Sequence, residues 1–380
     1  MRIAQVAPLF ESVPPSGYGG TERVVSYLTE ELVREGHDVT LYASGDSQTS
    51  AKLVSCRPRS LRLDPTCRDP LVHHYLMLER LFENIDNYDL VHFHIDYLHF
   101  PLTKRLQRPY VSTLHGRLDL PDLVPLYRHY SNQPLISISN AQRTPLPAAN
   151  WQGTVYHGLP ENLYTFNPNG GKYLAFLGRV SAEKRLDRAI EIAQRVQLPL
   201  KVAAKIDPAD QAYYEEVLKP ILRRAGSLVE FLGEIGGRPK DEFLGNAHAL
   251  LFPIDWPEPF GLVMIEALAC GTPVVAYRNG SVPEVMANGG TGFVVDNQDD
   301  AVEAVGRISS IDRRRCRQEF LERFSAPRMA RDYPKIYERI MAMESTRPDA
   351  LAAVPRPPRA AGRVRAKPAA DAEILQSIGD

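Results

Sequence analysis

Two carboxylates set eight positions apart, Glu258 and Glu266, carry the plainest chemistry in this 380-residue chain. A carboxylate only accepts hydrogen bonds, so its natural partners are pairs of hydroxyls such as those of a sugar ring or a ribose. Between them lies Pro259-Phe260-Gly261-Leu262. Leu262 to Cys270 is an apolar run broken only by Glu266, Gly271 reads as a helix stop, and Pro273 opens a Val274-Val275-Ala276 strand. Phe260 and Gly261 therefore fall at a helix N-terminus, where unpaired amides and the helix dipole favour an anion and a glycine lets it come close. At about 1.5 Å rise per residue, eight steps span roughly 12 Å, comparable with the separation of sugar and ribose in a nucleotide sugar. Glu258 is thus expected on sugar hydroxyls, the Phe260, Gly261 and Leu262 amides on a diphosphate, and Glu266 on a ribose diol. The competing reading is a buried strand-helix unit whose two acids merely face water.

A second block supplies cations. Tyr173 to Leu177 reads as a strand, Gly178-Arg179 as the turn after it, and Ser181-Ala182-Glu183-Lys184-Arg185 as the opening of a helix through Leu186, Ala189, Ile190 and Ala193. Arg179 and Lys184 then project from a strand-to-helix turn, the edge at which open α/β sheets bind ligands. Alternatively both point to solvent, as most basic residues do. Two further strands, 200–205 and 229–234, present Lys205 and Glu234 at their ends.

The amino-terminal end has the same logic. A short apolar strand from Met1 to Ala7 leads to a loop with Gly17, Gly19 and Gly20, then to a helix with Val24, Val25, Leu28, Leu32 and Val33 at helical spacing and Thr21 as candidate cap. Gly36 stops it before a strand at 38–43. The glycines do not form Gly-x-Gly-x-x-Gly, which weakens a dinucleotide reading; they either admit a ligand or simply make a tight turn. Segments 90–94, 110–117 and 135–140 read as strands ending in polar groups, among them His92, His94 and His115. Three histidines on alternating strands without a clustered acid argue against a metal site.

The run Glu258-Pro-Phe-Gly-Leu-x-x-x-Glu266-Ala-x-Ala-x-Gly-x-Pro-Val resembles the donor-site motif of glycosyltransferase family 4, retaining enzymes built from two Rossmann-like domains facing across a cleft (the GT-B fold). The resemblance implies an α/β chain of that architecture with a C-terminal crossover helix. By position it places Arg179 and Lys184 on the donor diphosphate, His115 near the reacting sugar carbon, Gly19 and Gly20 against the donor or acceptor, and the segment ending in Glu234 beside the nucleotide base. Lys205 stands where many relatives have a glycine-rich turn, so it adds a phosphate contact or marks a differently built loop. The expected donor-binding set is Gly19, Gly20, Arg179, Lys184, Lys205, Glu234, Glu258, Phe260, Gly261, Leu262 and Glu266, with His115, Glu258, Arg179 and Lys184 as the catalytic group. No cofactor and no metal are expected, because the cations would meet the charge on the leaving nucleotide.

Length suits two domains and a tail. The first is expected over 1–165, a linker over 166–171, the second domain over 172–328, the crossover helix over 329–345 with Tyr333, Ile336, Tyr337 and Ile340 on one face, and a basic, proline-rich disordered tail over 346–380. A net charge of −1 gives no reason to expect nucleic acid as a partner. No apolar stretch approaches the roughly 18 residues of a membrane span, and four scattered cysteines fit a reducing cytoplasm. The arginines at 57, 59, 62 and 68 read first as solvated surface and second as a weak peripheral membrane contact. The expected activity is transfer of a sugar from a nucleoside-diphosphate sugar to an unknown acceptor hydroxyl with retention. A nucleotide-sugar epimerase, a phosphorylase, a nicotinamide dehydrogenase and a non-catalytic sugar-nucleotide sensor are the competitors. The donor base and sugar, the acceptor and the oligomeric state are not legible.

Overall fold

Among the described residues, thirteen strands fall into two parallel sheets, and their order explains where a ligand can sit. The computed structural model describes residues 1–345 apart from 18, 105 and 107, and the expected tail at 346–380 lies outside the described residues. The first sheet has seven strands in the order β3-β2-β1-β4-β5-β6-β7: β1 Arg2–Val6, β2 Asp38–Ser44, β3 Lys52–Arg57, β4 Leu90–Phe93, β5 Tyr110–Thr113, β6 Leu135–Ser137 and β7 Trp151–Thr154. The second has six in the order β10-β9-β8-β11-β12-β13: β8 Leu174–Arg179, β9 Leu200–Lys205, β10 Val229–Gly233, β11 Ala249–Phe252, β12 Val274–Tyr277 and β13 Gly292–Val295. In each sheet the direction of strand addition reverses once, between β1 and β4 and between β8 and β11. Side chains at the carboxyl ends of strands beside such a switch point line a crevice.

In the second sheet β11 and β12 are apolar and buried at every position, because helices cover both faces of a parallel sheet. The edge strand β10 alternates between half-buried and exposed residues. β3, an edge strand ending at Arg57, has no counterpart in the sequence reading. Its basic stretch is partly used inside the fold: Arg57 pairs with Asp64, and Arg62 with Glu11 at 2.8 Å. Among the described residues no helix is long and apolar enough to cross a membrane.

The helix Ala326–Ser345 returns to the first sheet. Met329, Tyr333, Ile336, Tyr337 and Ile340 are buried there with Ile3, Val24, Leu28, Leu90, Val111 and Ile136. Truncating an aromatic ring in such a position costs about 3–5 kcal/mol. Pro334 lies inside this helix, eight positions past its start, where helix start or kink was expected. The chain passes between the halves twice, side by side: Leu159 bridges Ser325, its amide donates to Phe324 O at 2.9 Å, and Ala326 N donates to Leu159 O at 2.7 Å. A Cβ on Gly158 would lie 2.4 Å from Ser325 O, so only glycine permits that approach. Residues 165–171 are instead tied to the second half: Thr165 N donates to Asp241, Asn167 N to Cys270 O, and Arg313 to Asn167 O.

Candidate active site

One cavity of about 1450 Å³ runs between the carboxyl edges of the two sheets. Every residue of the expected donor-binding and catalytic sets lines it: Gly19, Gly20, His115, Arg179, Lys184, Lys205, Glu234, Glu258, Phe260, Gly261, Leu262 and Glu266. His94 lines it as well.

The second half contributes charge. The helix Leu262–Ala269 is capped by Gly261 in a left-handed conformation (φ +79°). A Cβ there would meet Met264 at 2.7 Å and Phe252 at 3.2 Å, so glycine is required at this turn on two counts. Ser281 holds the approach to it, donating from its amide to Glu258 O at 3.0 Å and from its hydroxyl to Phe260 O at 2.8 Å. Glu258 is 9% exposed and Glu266 2% exposed. Neither is a surface acid, and each has a lysine. Lys184 pairs with Glu258 while lying 5.0 Å from the Trp256 ring and 5.5 Å from Phe252; Lys240 pairs with Glu266 at 2.6 Å. The second carboxylate oxygen of Glu266, Oε2, is buried without a hydrogen-bond partner.

Two local expectations are corrected here. Arg179 is not in a turn: β8 runs through it, opposite Lys205 of β9, and its guanidinium lies 3.2 Å from Asp210. Lys184 does not open the long helix either. A short 3-10 turn, Ala182–Lys184, precedes Arg185, whose left-handed backbone (φ 55°) starts the helix Leu186–Val196 afresh. Both cations still reach the cavity, because β8 and β9 end there together.

The first half contributes a glycine corner and neutral rings. Gly19, not Thr21, is the cap, and the helix Gly20–Arg34 begins two residues earlier than a Thr21 cap implies. A Cβ on Gly20 would lie 3.6 Å from Leu262, and one on Gly17 would lie 3.3 Å from Glu234 Oε1, so this corner faces the second half directly. His94 Nδ1 and His115 Nε2 are 2.9 Å apart, and His94 Nε2 is 2.7 Å from Gln5 Oε1. His115 stacks on His157 with centroids 5.3 Å apart, and His157 meets Phe260 edge-on at 4.8 Å. Burial drives the His115 imidazole down to about 3. The same cause, with neighbouring histidines adding to it, holds His94 and His157 well below their ordinary value. These rings are neutral. Among the described residues no group of three or more His, Cys, Asp or Glu side chains is arranged to hold a metal ion.

Sequence reasoning missed several cavity residues. Lys240 comes from the helix Gly237–Gly245, and nothing in its neighbourhood pairs it with Glu266, 26 positions on. Arg117 follows His115 and crosses to the second half, bonding Glu183 at 2.5 Å and Asp119 at 2.7 Å. Gln5, which stands behind the cavity lining and bonds His94, is buried in a strand that reads as apolar, and nothing in the sequence marks it.

The comparisons with known proteins follow this division. Residues 18–151 match the family model described as Glycosyltransferase Family 4, and residues 165–323 the one described as Glycosyl transferases group 1. The chain belongs to glycosyltransferase family 4. An uncharacterized family relative, a glycosyltransferase of Methanocaldococcus jannaschii, is 24% identical over 90% of this chain and 99% of its own length. The alpha-maltose-1-phosphate synthase of Mycolicibacterium smegmatis is 33% identical, over 44% of this chain and 48% of that protein. Among solved structures, a glycosyltransferase involved in avilamycin A biosynthesis superposes with a TM-score of 0.70 at 24% identity, covering 90% of this chain and 98% of its own. HepE of Anabaena, determined in complex with UDP-glucose, superposes at 0.66 and 19% identity over 91% and 99%. These likenesses give the family 4 chain the GT-B fold of two Rossmann-like halves.

Proposed function

We propose that this family 4 glycosyltransferase takes a hexosyl group from a nucleoside-diphosphate sugar and places it on an acceptor hydroxyl with retention at the anomeric carbon, without a metal ion or other cofactor. The observation that carries the reading is the pair of lysine-carboxylate contacts, Lys184 with Glu258 and Lys240 with Glu266, flanking the capped helix Leu262–Ala269 inside one cavity. Each acid is charge-compensated in the free protein and each can exchange its lysine for sugar or ribose hydroxyls when a diphosphate arrives to take the cations. HepE, which has the same fold, was determined with UDP-glucose, and that supports a nucleotide sugar as donor.

In this reading the amides of Phe260 to Leu262 and the helix dipole receive the diphosphate, joined by Arg179, Lys184 and Lys205. The bond from the anomeric carbon to the diphosphate oxygen breaks and the bond to the acceptor oxygen forms on the same face. The acceptor's proton passes to the departing phosphate oxygen, which the cations stabilise as charge builds on it. Glu258 orients the sugar and His115 contacts it from the first half. Cys56, Cys67, Cys270 and Cys316 are all unpaired, which supports residence in a reducing cytoplasm.

The test is a thermal-shift screen of nucleoside diphosphates and their sugars, followed by product analysis with the donor that binds. A ligand present at 100 times its dissociation constant stabilises the folded chain by about 2.7 kcal/mol. Glu258→Gln should still bind the nucleotide while losing about a hundredfold or more in turnover. If that variant turns over normally, or no nucleotide shifts the wild type, the assignment is wrong.

A further inference from the structure

The neutral rings on the first wall form one ordered hydrogen-bond chain. It starts at Gln5 of β1, which sits beside His92 of β4 at the switch point of the first sheet. One arm runs from Gln5 Oε1 to His94 Nε2 (2.7 Å) and from His94 Nδ1 to His115 Nε2 (2.9 Å), and ends at His115 Nδ1, which is buried and has no partner. The other arm runs from Gln5 Nε2 to the Tyr337 hydroxyl (3.5 Å), from Tyr337 to His92 Nδ1 (2.7 Å) and from His92 Nε2 to Thr113 Oγ1 (2.7 Å).

A neutral imidazole donates from one nitrogen and accepts at the other, so the orientation of the Gln5 amide decides every proton in both arms. Turned one way, the Gln5 carbonyl accepts from His94 Nε2–H, His94 Nδ1 accepts from His115 Nε2–H, and His115 Nδ1 is a bare lone pair. Turned the other way, all the donors reverse and His115 Nδ1 carries a buried N–H with nothing to receive it. An orphaned buried N–H is the less favourable of the two, because a buried acceptor without a partner is found somewhat more often than a buried donor without one. The first arrangement therefore holds.

We infer that Gln5, acting through His94, is a positioning residue that locks His115, a residue of the cavity lining, into the tautomer whose partnerless Nδ1 is a hydrogen-bond acceptor. A ligand group that reaches His115 Nδ1 must then be a donor, as a hydroxyl of the bound sugar or acceptor is and a phosphate or carboxylate oxygen is not. This specificity claim rests on the functional reading above; the tautomer itself does not.

The experiment is nitrogen NMR of the imidazole rings in the full chain labelled with nitrogen-15, with His115 assigned by its loss in His115→Gln. The expected wild-type pattern is a protonated Nε2 and an unprotonated Nδ1. Gln5→Met, similar in length but without the amide, should turn His115 into a mixture of both tautomers and lower kcat by about tenfold to a hundredfold, with donor KM moving less than threefold. Gln5→Glu keeps an acceptor at the same point and should preserve both the pattern and most of the turnover. A protonated Nδ1 in the wild type overturns the inference without any variant being needed. So does a Gln5→Met protein whose His115 pattern is unchanged. Should the expected nitrogen pattern appear in a chain with no transferase activity, the functional reading fails and the tautomer lock stands.

Discussion

The two walls of the cleft solve the same problem, holding a polar ligand in a buried space, by opposite means. The second half uses full charges paired with one another: Lys184 with Glu258, Lys240 with Glu266 and Arg179 with Asp210. The first half uses neutral rings, His92, His94, His115 and His157, whose burial drives protons off. Charges suit a ligand group that is itself charged and whose charge grows during reaction, since a preset cation costs no reorganisation when that happens. Neutral acceptors orient a hydroxyl without adding net charge to the site, whereas Glu258 and Glu266 would hold theirs through charge-assisted bonds. In the proposed function, each wall thus matches a different part of the donor. A ligand with a diphosphate at one end and a hydroxylated ring at the other matches both.

The comparison can be broken most severely at the charged wall. Lys184→Ala leaves Glu258 buried without its counterion and removes a cation from the proposed leaving group. It should reduce kcat/KM by about a hundredfold to a thousandfold, read by steady-state kinetics with the donor found in the ligand screen. Lys240→Ala, farther from the reacting carbon, should act mainly on donor KM. If the two variants behave alike, the division of labour along the helix Leu262–Ala269 is wrong.

Next in size is a change that touches no charge at all. Gly280 has φ +53°, and a Cβ there would lie 2.3 Å from Glu258 O and 2.4 Å from Glu258 N. Gly280→Ala should therefore push Glu258 off its place as well as strain the backbone by about 1–2 kcal/mol. Misplacing a positioning group by an ångström costs about a hundredfold. Turnover should drop far more than the melting temperature would suggest, and a melting curve measured beside the kinetics separates the two.

The neutral wall makes its own prediction in pH. The folded-state values of His92, His94, His99, His115 and His157 are all depressed by burial, those of His99 and His115 to about 3 from the ordinary 6.5. The unfolded chain binds protons at these sites below about pH 6.5 while the folded chain does not, so stability is intact above that pH and falls as pH drops toward about 3. Each such ring costs about 1.4 kcal/mol per pH unit across that window. Melting temperatures measured from pH 8 to pH 5 should be level at first and then drop steeply. A level profile throughout would mean that these rings are charged or exposed. The smallest effect expected is from deleting residues 346–380, which should leave kcat/KM within about twofold, because a basic, proline-rich composition predicts a solvated extension; a larger loss would give the tail a role in the site.

Much of this was legible from sequence for a physical reason. Glu258, Phe260, Gly261 and Glu266 sit within nine consecutive residues, where local rules of helix capping and apolar periodicity apply directly, and all four line the cavity. The cations were located to their strand ends although the turn between Arg179 and Lys184 was misread, since the left-handed Arg185 breaks the helix in a way that an αL arginine does not announce. What could not be read were the partners. Lys240 meets Glu266 across 26 positions, Arg117 meets Glu183 across 66, and Gln5 meets His94 across 89. Those meetings are set by sheet order, which no periodicity encodes. The cap on the first helix was misplaced for a smaller reason: Thr21 is the better capping residue by type, but the chain needs Gly19 where a Cβ would strike Pro15 at 2.8 Å.

The return of the helix Ala326–Ser345 to the first sheet, beside the paired crossing at Leu159 and Ser325, imposes an order of events on synthesis. The amino-terminal half leaves the ribosome first, yet the aromatic side chains that close its interior, Tyr333 and Tyr337, are translated after the whole of the other half. Tyr337 is also the residue against which His92 is braced. The neutral wall of the cleft therefore reaches its final form only after the charged wall has been made, and a nascent chain stopped near residue 325 would carry a finished charged face beside an unfinished histidine one.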